Sequence, residues 1–368
     1  MRATEAISDA RRDMEICNAC RYCEGFCAVF PAMELRREFT DSDLSYLANL
    51  CHNCRGCFYA CQYAPPHEFG INLPKSFAQI RHESYEDYAW PKPLAGVFRR
   101  NGLVVSLVAA LAIAAVLVLT SWLQSPDVLH GAHTGPGAFY AVIPYQVMLW
   151  VALLTFCYSL VALAMGFGNF WRDTAAGGAA VDAAAIGQAL SDVFTLRNLG
   201  GGGHGCNDKD ESFSQTRRWL HHAMFYGFLA CFAATCVATI YQDGFGRLPP
   251  YAWASLPVIL GTSGGIGLLI GTVGLFAMKL TADQEPAARE LLGADSALLI
   301  LLALAAFTGL LLLVLRATGA MGVLLALHLG VILALFLVLP YSKFVHGVYR
   351  GAALLRYALE RRQPILQD

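Results

Sequence analysis

The chain has 368 residues, of which 56% are hydrophobic and only 14% charged, and its formal net charge is −1. Such a balance lies outside the range of soluble globular domains and assigns most of the chain to a bilayer. It also excludes a nucleic-acid surface, because no positive field and no base-stacking motif is present.

The opening segment MRATEAISDARRDMEIC lacks the short apolar stretch of a signal peptide, so the amino terminus is expected to stay on the side where it is made. Two cysteine runs of identical spacing follow: CNACRYCEGFC (Cys17, Cys20, Cys23, Cys27) and CHNCRGCFYAC (Cys51, Cys54, Cys57, Cys61). The spacing C-x2-C-x2-C-x3-C wraps a short loop so that three thiolates meet three irons of a cubane, while the fourth cysteine reaches the neighbouring cluster. The runs therefore predict two [4Fe-4S] clusters with exchanged fourth ligands. Cys17, Cys20, Cys23 and Cys61 would hold one, and Cys51, Cys54, Cys57 and Cys27 the other. Ala28 and Gln62 stand where a bacterial ferredoxin has proline after the fourth cysteine, so the local turn is expected to differ. Structural zinc fits less well, since it takes four ligands from two separated C-x2-C pairs. Disulfides need an oxidising compartment, against the orientation derived below. His52, inside the second run, reads as a hydrogen-bonding neighbour that tunes a cluster rather than as a ligand.

Residues 1–95 thus form a charged, cysteine-bearing head. Pro91 and Pro93, beside a Trp90 suited to the membrane interface, mark its joint to a membrane domain at 96–346. About 20 apolar residues cross about 30 Å of hydrocarbon as helix. Six segments qualify: near 102–123, 145–167, 220–241, 256–279, 296–315 and 320–342. The fourth is rich in glycine, which lets helices approach closely in a membrane. Cys157, Cys231 and Cys236 fall inside apolar runs and read as small buried side chains.

Lys92, Arg99 and Arg100 precede the first span. Arg172, Arg197, Lys209, Arg217 and Arg218 lie between spans two and three, Lys279 and Arg289 follow span four, and Lys343, Arg350, Arg356, Arg361 and Arg362 follow span six. The opposite connections hold only Arg247 and Arg316. By the positive-inside rule both termini, the head, the loop 168–219 and the tail 347–368 are cytoplasmic. Within that loop, Ala183 to Leu196 has helix-like periodicity and predicts a short amphipathic helix. The run Gly200 to Gly203, with His204 and Cys206 beside it, reads as a flexible joint without an assigned role.

A membrane domain attached to clusters needs an acceptor, and histidines provide for one. His221 and His222 open span three, and His346 lies just past span six in PYSKFVHGVYR. At equal depth, His222 (or His221) and His346 would clamp a haem b iron from both faces, leaving a six-coordinate centre suited to electron transfer. His328 and His346 are separated by five helical turns, about 27 Å, and cannot share one haem. A second haem at His328 would need a partner near Cys231, where no histidine stands. One haem is therefore expected and a second remains open, with His328 near a quinone or hydrogen-bonded between helices. His130 and His133 read as solvated residues of the outer connection. No catalytic acid or base stands out.

The double cysteine run followed by QYAPPHEFGINLPK, the loop LRNLGGGGHGCND, the segment RRWLHHAMFYGFLACFAAT and the ending PYSKFVH together resemble tricarballylate utilisation protein B, the TcuB/CitB type. The membrane half is distantly similar to the gamma subunit of respiratory nitrate reductase. The resemblance implies a mainly α protein of the bacterial inner membrane, with a ferredoxin-like or α-helical two-cluster head and a six-helix haem b bundle. It further implies that electrons pass from the reduced flavin of an FAD-dependent, TcuA-like tricarballylate dehydrogenase through the clusters and haem to membrane quinone. The chain would then be the electron-transfer subunit of a flavoprotein:quinone oxidoreductase system. Service to another flavoprotein, of a different tricarboxylate or of the cobalamin pathway, is an alternative, as is an iron–sulfur membrane redox sensor. A transporter would show broken helices or polar midplane residues, and spans one, five and most of six are plainly apolar.

Overall fold

The computed structural model describes residues 4–175 and 181–362. Positions 176–180 of the long connection and 363–368 of the tail lie outside the described residues. The described residues are mainly helical and contain no strand, only an isolated bridge between Cys206 and Ser214.

Five helices build the head. α1 (Glu5–Cys20) starts at Thr4, whose hydroxyl accepts from the Ile7 N–H, and buries Ile7, Ala10 and Met14 at helical spacing. α2 (Val29–Glu34) is short. α3 (Asp41–Leu50) opens with a reciprocal Thr40–Asp43 capping box and buries Leu44, Leu47 and Leu50. α4 (Gly56–Tyr59) is a single turn, and α5 (Leu73–Tyr88) is capped by Asn72 with Pro74 in its first turn. The head is thus α-helical, without the strands of a ferredoxin.

Beyond a 3-10 stretch at Lys92–Arg100 come α6 (Asn101–Leu123), α7 (Pro126–Leu129), α8 (Tyr145–Thr174), α9 (Ala183–Thr195), α10 (Thr216–Thr239), α11 (Leu256–Thr281), α12 (Leu292–Leu315), α13 (Met321–Val338) and α14 (Val345–Glu360). Six of these helices, α6, α8, α10, α11, α12 and α13, are long and apolar enough to cross a membrane, as expected for a multi-pass membrane protein. α10 continues through a π turn at Ile240–Gly244. α8 runs on to Thr174 rather than stopping near 167, because its last turns are packed by the head. Asn169 donates to the Tyr88 carbonyl at 3.2 Å, and the Tyr88 hydroxyl bonds Asp173.

α10 and α11 lie in close backbone contact. A Cβ on Gly264 would come within 2.8 Å of the Cys231 nitrogen, and one on Gly271 within 2.6 Å of the Leu220 carbonyl oxygen. The glycine-rich fourth span thus serves a tight helix pair. α6, α12 and α13 share a second core around Val105, Leu302, Val331 and Leu335. At the end of the bundle nearest the head, Asp295 binds both Lys279 (2.5 Å) and Lys343 (2.7 Å), tying α11, α12 and the α13–α14 joint together.

Cys157 and Cys236 are exposed and Cys231 is only partly buried. This corrects the expectation of buried cysteines: an apolar run in a membrane helix has an outer face too, and two of these thiols lie on exposed surface.

Pro340 ends the sixth span in a 3-10 turn, Leu339–Tyr341, and the chain restarts as α14. α14 packs antiparallel against α3, with Glu360 near Asp43 and Arg350 near Asn49. The predicted amphipathic helix is α9, whose Ala185 and Ala189 pack on the α14 side of the molecule.

Candidate functional site

The two cysteine runs fold alike. The residue after the second cysteine of each run, Arg21 (φ 56°) and Arg55 (φ 68°), takes the left-handed backbone uncommon for a residue with a side chain. That turn swings the chain round to the third cysteine, Cys23 or Cys57. Asn53 (φ 55°) aims its N–H at the Cys51 sulfur, 3.4 Å away. The N–H groups of Val29 and Phe30 point at Cys27, and those of Tyr63 and Ala64 at Cys61. Backbone donors directed at sulfur favour the charged thiolate.

Cys17, Cys20, Cys23, Cys57 and Cys61 line a cavity of about 240 Å³. Cys61 stands close enough to Cys17 and Cys23 for their thiolates to repel, while Cys27 stands in the same relation to Cys51 and Cys54. Burial, then repulsion from Cys61, pushes Cys17 and Cys23 up to about 12. Burial pushes Cys27 and Cys57 well above the ordinary thiol value. Such thiols stay protonated at neutral pH unless a metal centre ionises them. Among the described residues, no three His, Cys, Asp or Glu side chains converge closely enough to hold a metal ion.

The loop after α9 closes over the second run. Gly201 (φ 47°) and Gly203 (φ 100°) bend it so that Cys206, fully buried, packs with Leu199 against Cys54. The Asn207 N–H donates to the Cys54 carbonyl at 2.9 Å. Sequence reasoning saw the glycines and Cys206 but not this contact. His204 packs on Phe213 instead (5.5 Å).

The imidazoles of His221 on α10 and His346 on α14 face each other with ring centres 6.2 Å apart and planes at 80°. His346 Nδ1 contacts the Lys343 carbonyl at 2.5 Å, and His221 Nδ1 is buried without a hydrogen-bond partner. His222 turns another way, to Trp219 and Tyr226 and the end of α9. Of the two neighbours, His221 is therefore the one brought to His346. His328 lies apart, its Nδ1 3.0 Å from the Thr308 hydroxyl across α12 and α13. His133 Nε2 bonds the Val128 carbonyl, and His52 Nδ1 bonds the Leu50 carbonyl at 2.8 Å rather than a cysteine.

Two residues that sequence reasoning passed over as topology signals grip the second run. Arg217 Nη1 donates to the Asn53 carbonyl at 2.6 Å, and Arg350 donates to the carbonyls of Cys51 (2.9 Å) and Asn49 (3.3 Å). Arg81 of the head shares the Cys51 oxygen at 3.1 Å.

A helical head with duplicated cysteine loops, set on six membrane-length helices, defines a multi-pass membrane protein of the iron–sulfur electron-transfer class. The citrate utilization protein B family matches residues 96–366, and its Fer4-like domain matches residues 10–87. The chain belongs to that family. It is 45% identical to citrate utilization protein B of Escherichia coli over 361 residues, 98% of this chain and 94% of the relative. No solved structure matches it.

Proposed function

We propose that this protein takes electrons from the reduced flavin of a partner dehydrogenase and passes them through two [4Fe-4S] clusters and a haem b to membrane quinone. The observation that carries the reading is the arrangement of the groups: a cysteine-lined cavity in the head to which Cys57 of the second run contributes, and a facing histidine pair on the two helices whose arginines reach that run. Cys17, Cys20, Cys23 and Cys61 would hold the first cluster, and Cys51, Cys54, Cys57 and Cys27 the second. The backbone donors at these sulfurs suit ligating thiolates.

The histidine pair suits a haem iron as well. His221 and His346 would hold the haem, which would supply a one-electron centre there. The carbonyl contact that orients His346 supports the same reading. Clusters and haem supply one-electron chemistry, which lets a flavin's electron pair be divided and delivered to a quinone. This chain's own residues hold the centres, keep water from them and set their spacing. His221 is the proposed partner of His346, in place of His222.

The partner is proposed to be an FAD-dependent dehydrogenase of citrate, tricarballylate or a related tricarboxylate, in line with the name of the Escherichia coli relative. Lys and Arg next to the spans support a cytoplasmic head and cytoplasmic termini in a bacterial inner membrane. Protein purified without air is expected to contain about eight irons per chain. Its reduced-minus-oxidised spectrum should show a b-type haem that a flavoprotein reduces and added quinone reoxidises. Clusters without haem would favour a sensor, and neither centre would end the proposal.

A further inference from the structure

Arg217 precedes His221 by four residues on α10, and Arg350 follows His346 by four on α14. Each arginine is therefore one helical turn, about 6 Å, from its histidine and on the same face. Both reach the same three-residue stretch of the second cysteine run. Arg217 takes the Asn53 oxygen at 2.6 Å and Arg350 the Cys51 oxygen at 2.9 Å. The two helices that present the facing imidazoles thus each send a guanidinium to the loop between Cys51 and Cys54.

We propose that Arg217 and Arg350 are paired positioning residues that clamp the Cys51–Asn53 loop at a fixed distance from His221 and His346 and raise the reduction potential of the cluster held there. The inference rests on the function proposed above and names the groups that govern its inner electron step. In that step a cluster held by the second run would be oxidised by one electron and a centre held by the histidines would be reduced by the same electron. No bond forms or breaks and no proton moves.

Charge gives the direction of the effect. A cubane with four thiolates is net negative and becomes more so on reduction, so a fixed cation beside its loop favours the reduced form. Arg217 is partly neutralised by Asp208 at 3.6 Å. Among the described residues, Arg350 has no carboxylate within ion-pair distance, and its contacts are the Asn49 and Cys51 carbonyls. Uncompensated cations in partly buried sites are costly unless an anion lies near, and a cluster on these thiolates would supply one. Geometry gives the second role. A guanidinium grips a carbonyl from a helix whose next turn carries the imidazole, so loop and ligand cannot drift apart independently.

The test is an anaerobic redox titration, followed by electron paramagnetic resonance, of the wild type, Arg350→Gln and Arg350→Lys, with iron and haem measured on each sample. Arg350→Gln should keep its iron and haem while one cluster alone loses at least tenfold in its reduced-to-oxidised ratio at a given potential, a downward shift of 59 mV for a one-electron couple. Arg350→Lys should restore most of that shift, because it returns the charge. If Arg350→Gln does not accumulate, Arg217→Gln carries the test, with a smaller shift of the same sign. An unchanged midpoint in a variant with full iron overturns the proposal. So does equal iron loss in the glutamine and lysine variants, which would make the arginine a brace and nothing more. A wild type lacking clusters or haem would instead defeat the function proposed above, an outcome read before any variant is compared.

Discussion

Glu360, at the far end of α14, governs how firmly that helix lies on α3. Its carboxylate accepts from Arg36 (2.5 Å), Arg356 (2.9 Å) and the Tyr46 hydroxyl (2.9 Å). Asp43 binds the same two arginines at 2.7 and 3.2 Å, and both guanidiniums lie over the Tyr46 ring. The side chains of Arg36, Arg356 and Glu360 are only 8%, 5% and 13% exposed. Replacing Glu360 by Gln keeps the shape, removes the charge and leaves two buried cations to share Asp43. Breaking a buried ion pair costs about 3–5 kcal/mol, and since Asp43 keeps part of the compensation the lower end, about 3 kcal/mol, applies here.

At 1.36 kcal/mol per tenfold, that raises the population in which the end of α14 is lifted from α3 by about a hundredfold. Hydrogen exchange reads this directly. Amides between Ala352 and Glu360 should lose about two orders of magnitude of protection, while α12 and α13 stay as they were. His346 lies about 21 Å along the helix from Glu360, so cofactor content should change little at first. Exchange within threefold of the wild type across α14 would show that apolar packing, not this ion network, holds the helix down.

Cys61→Ser should lose the same cluster as Cys17→Ser, and Cys27→Ser the same one as Cys51→Ser, each pair retaining about half of the iron; resonance spectra that match within a run instead of across runs would refute the exchange. Gly271→Ala should cost about 1–3 kcal/mol, because its new Cβ meets the Leu220 oxygen at 2.6 Å and α10 must move away from α11; an unchanged thermal midpoint in detergent would contradict that close packing.

The parts of this molecule legible in the sequence are those with local signatures. The cysteine runs show by spacing, and the structure repeats the likeness in the backbone of Arg21 and Arg55. The six spans show by length and apolarity, although α8 is longer than its apolar run because its last turns pack on Tyr88 and Tyr349. What stayed hidden depends on contacts between distant segments. His221 and His222 point about 100° apart on one helix, and nothing local tells which meets His346. Cys206 is 152 residues from Cys54, and only the fold of the connection brings it there. Arg217 and Arg350 looked like membrane-flanking charges, for which any residue nearby would serve equally. Their four-residue spacing from histidine, in RRWLH and HGVYR, was the one available signal, and it acquires meaning only once both helices end on one loop.

Head and bundle also differ from two domains on a tether. Tyr85 and Tyr88 of α5, Phe98 of the joint, Phe170 of α8 and Tyr349 of α14 belong to a single buried core. Tyr349 stacks on Tyr85 with ring centres 5.6 Å apart, and the Tyr341 hydroxyl donates to the Trp90 carbonyl at 3.1 Å. An apolar seam of this kind resists relative motion, unlike the small polar interfaces over which domains usually swing. The distance between the second cysteine run and the histidine pair is therefore set by packing and does not wait on a domain closure. It follows that transfer within the chain should be insensitive to solvent viscosity, whereas any step requiring a separate donor protein to arrive at the cysteine-lined cavity should slow as viscosity rises. Flash or stopped-flow measurements of the two steps in graded glycerol would separate them. An inner step that slowed in proportion to viscosity would mean that the seam opens, against the shared core that these five aromatic rings build.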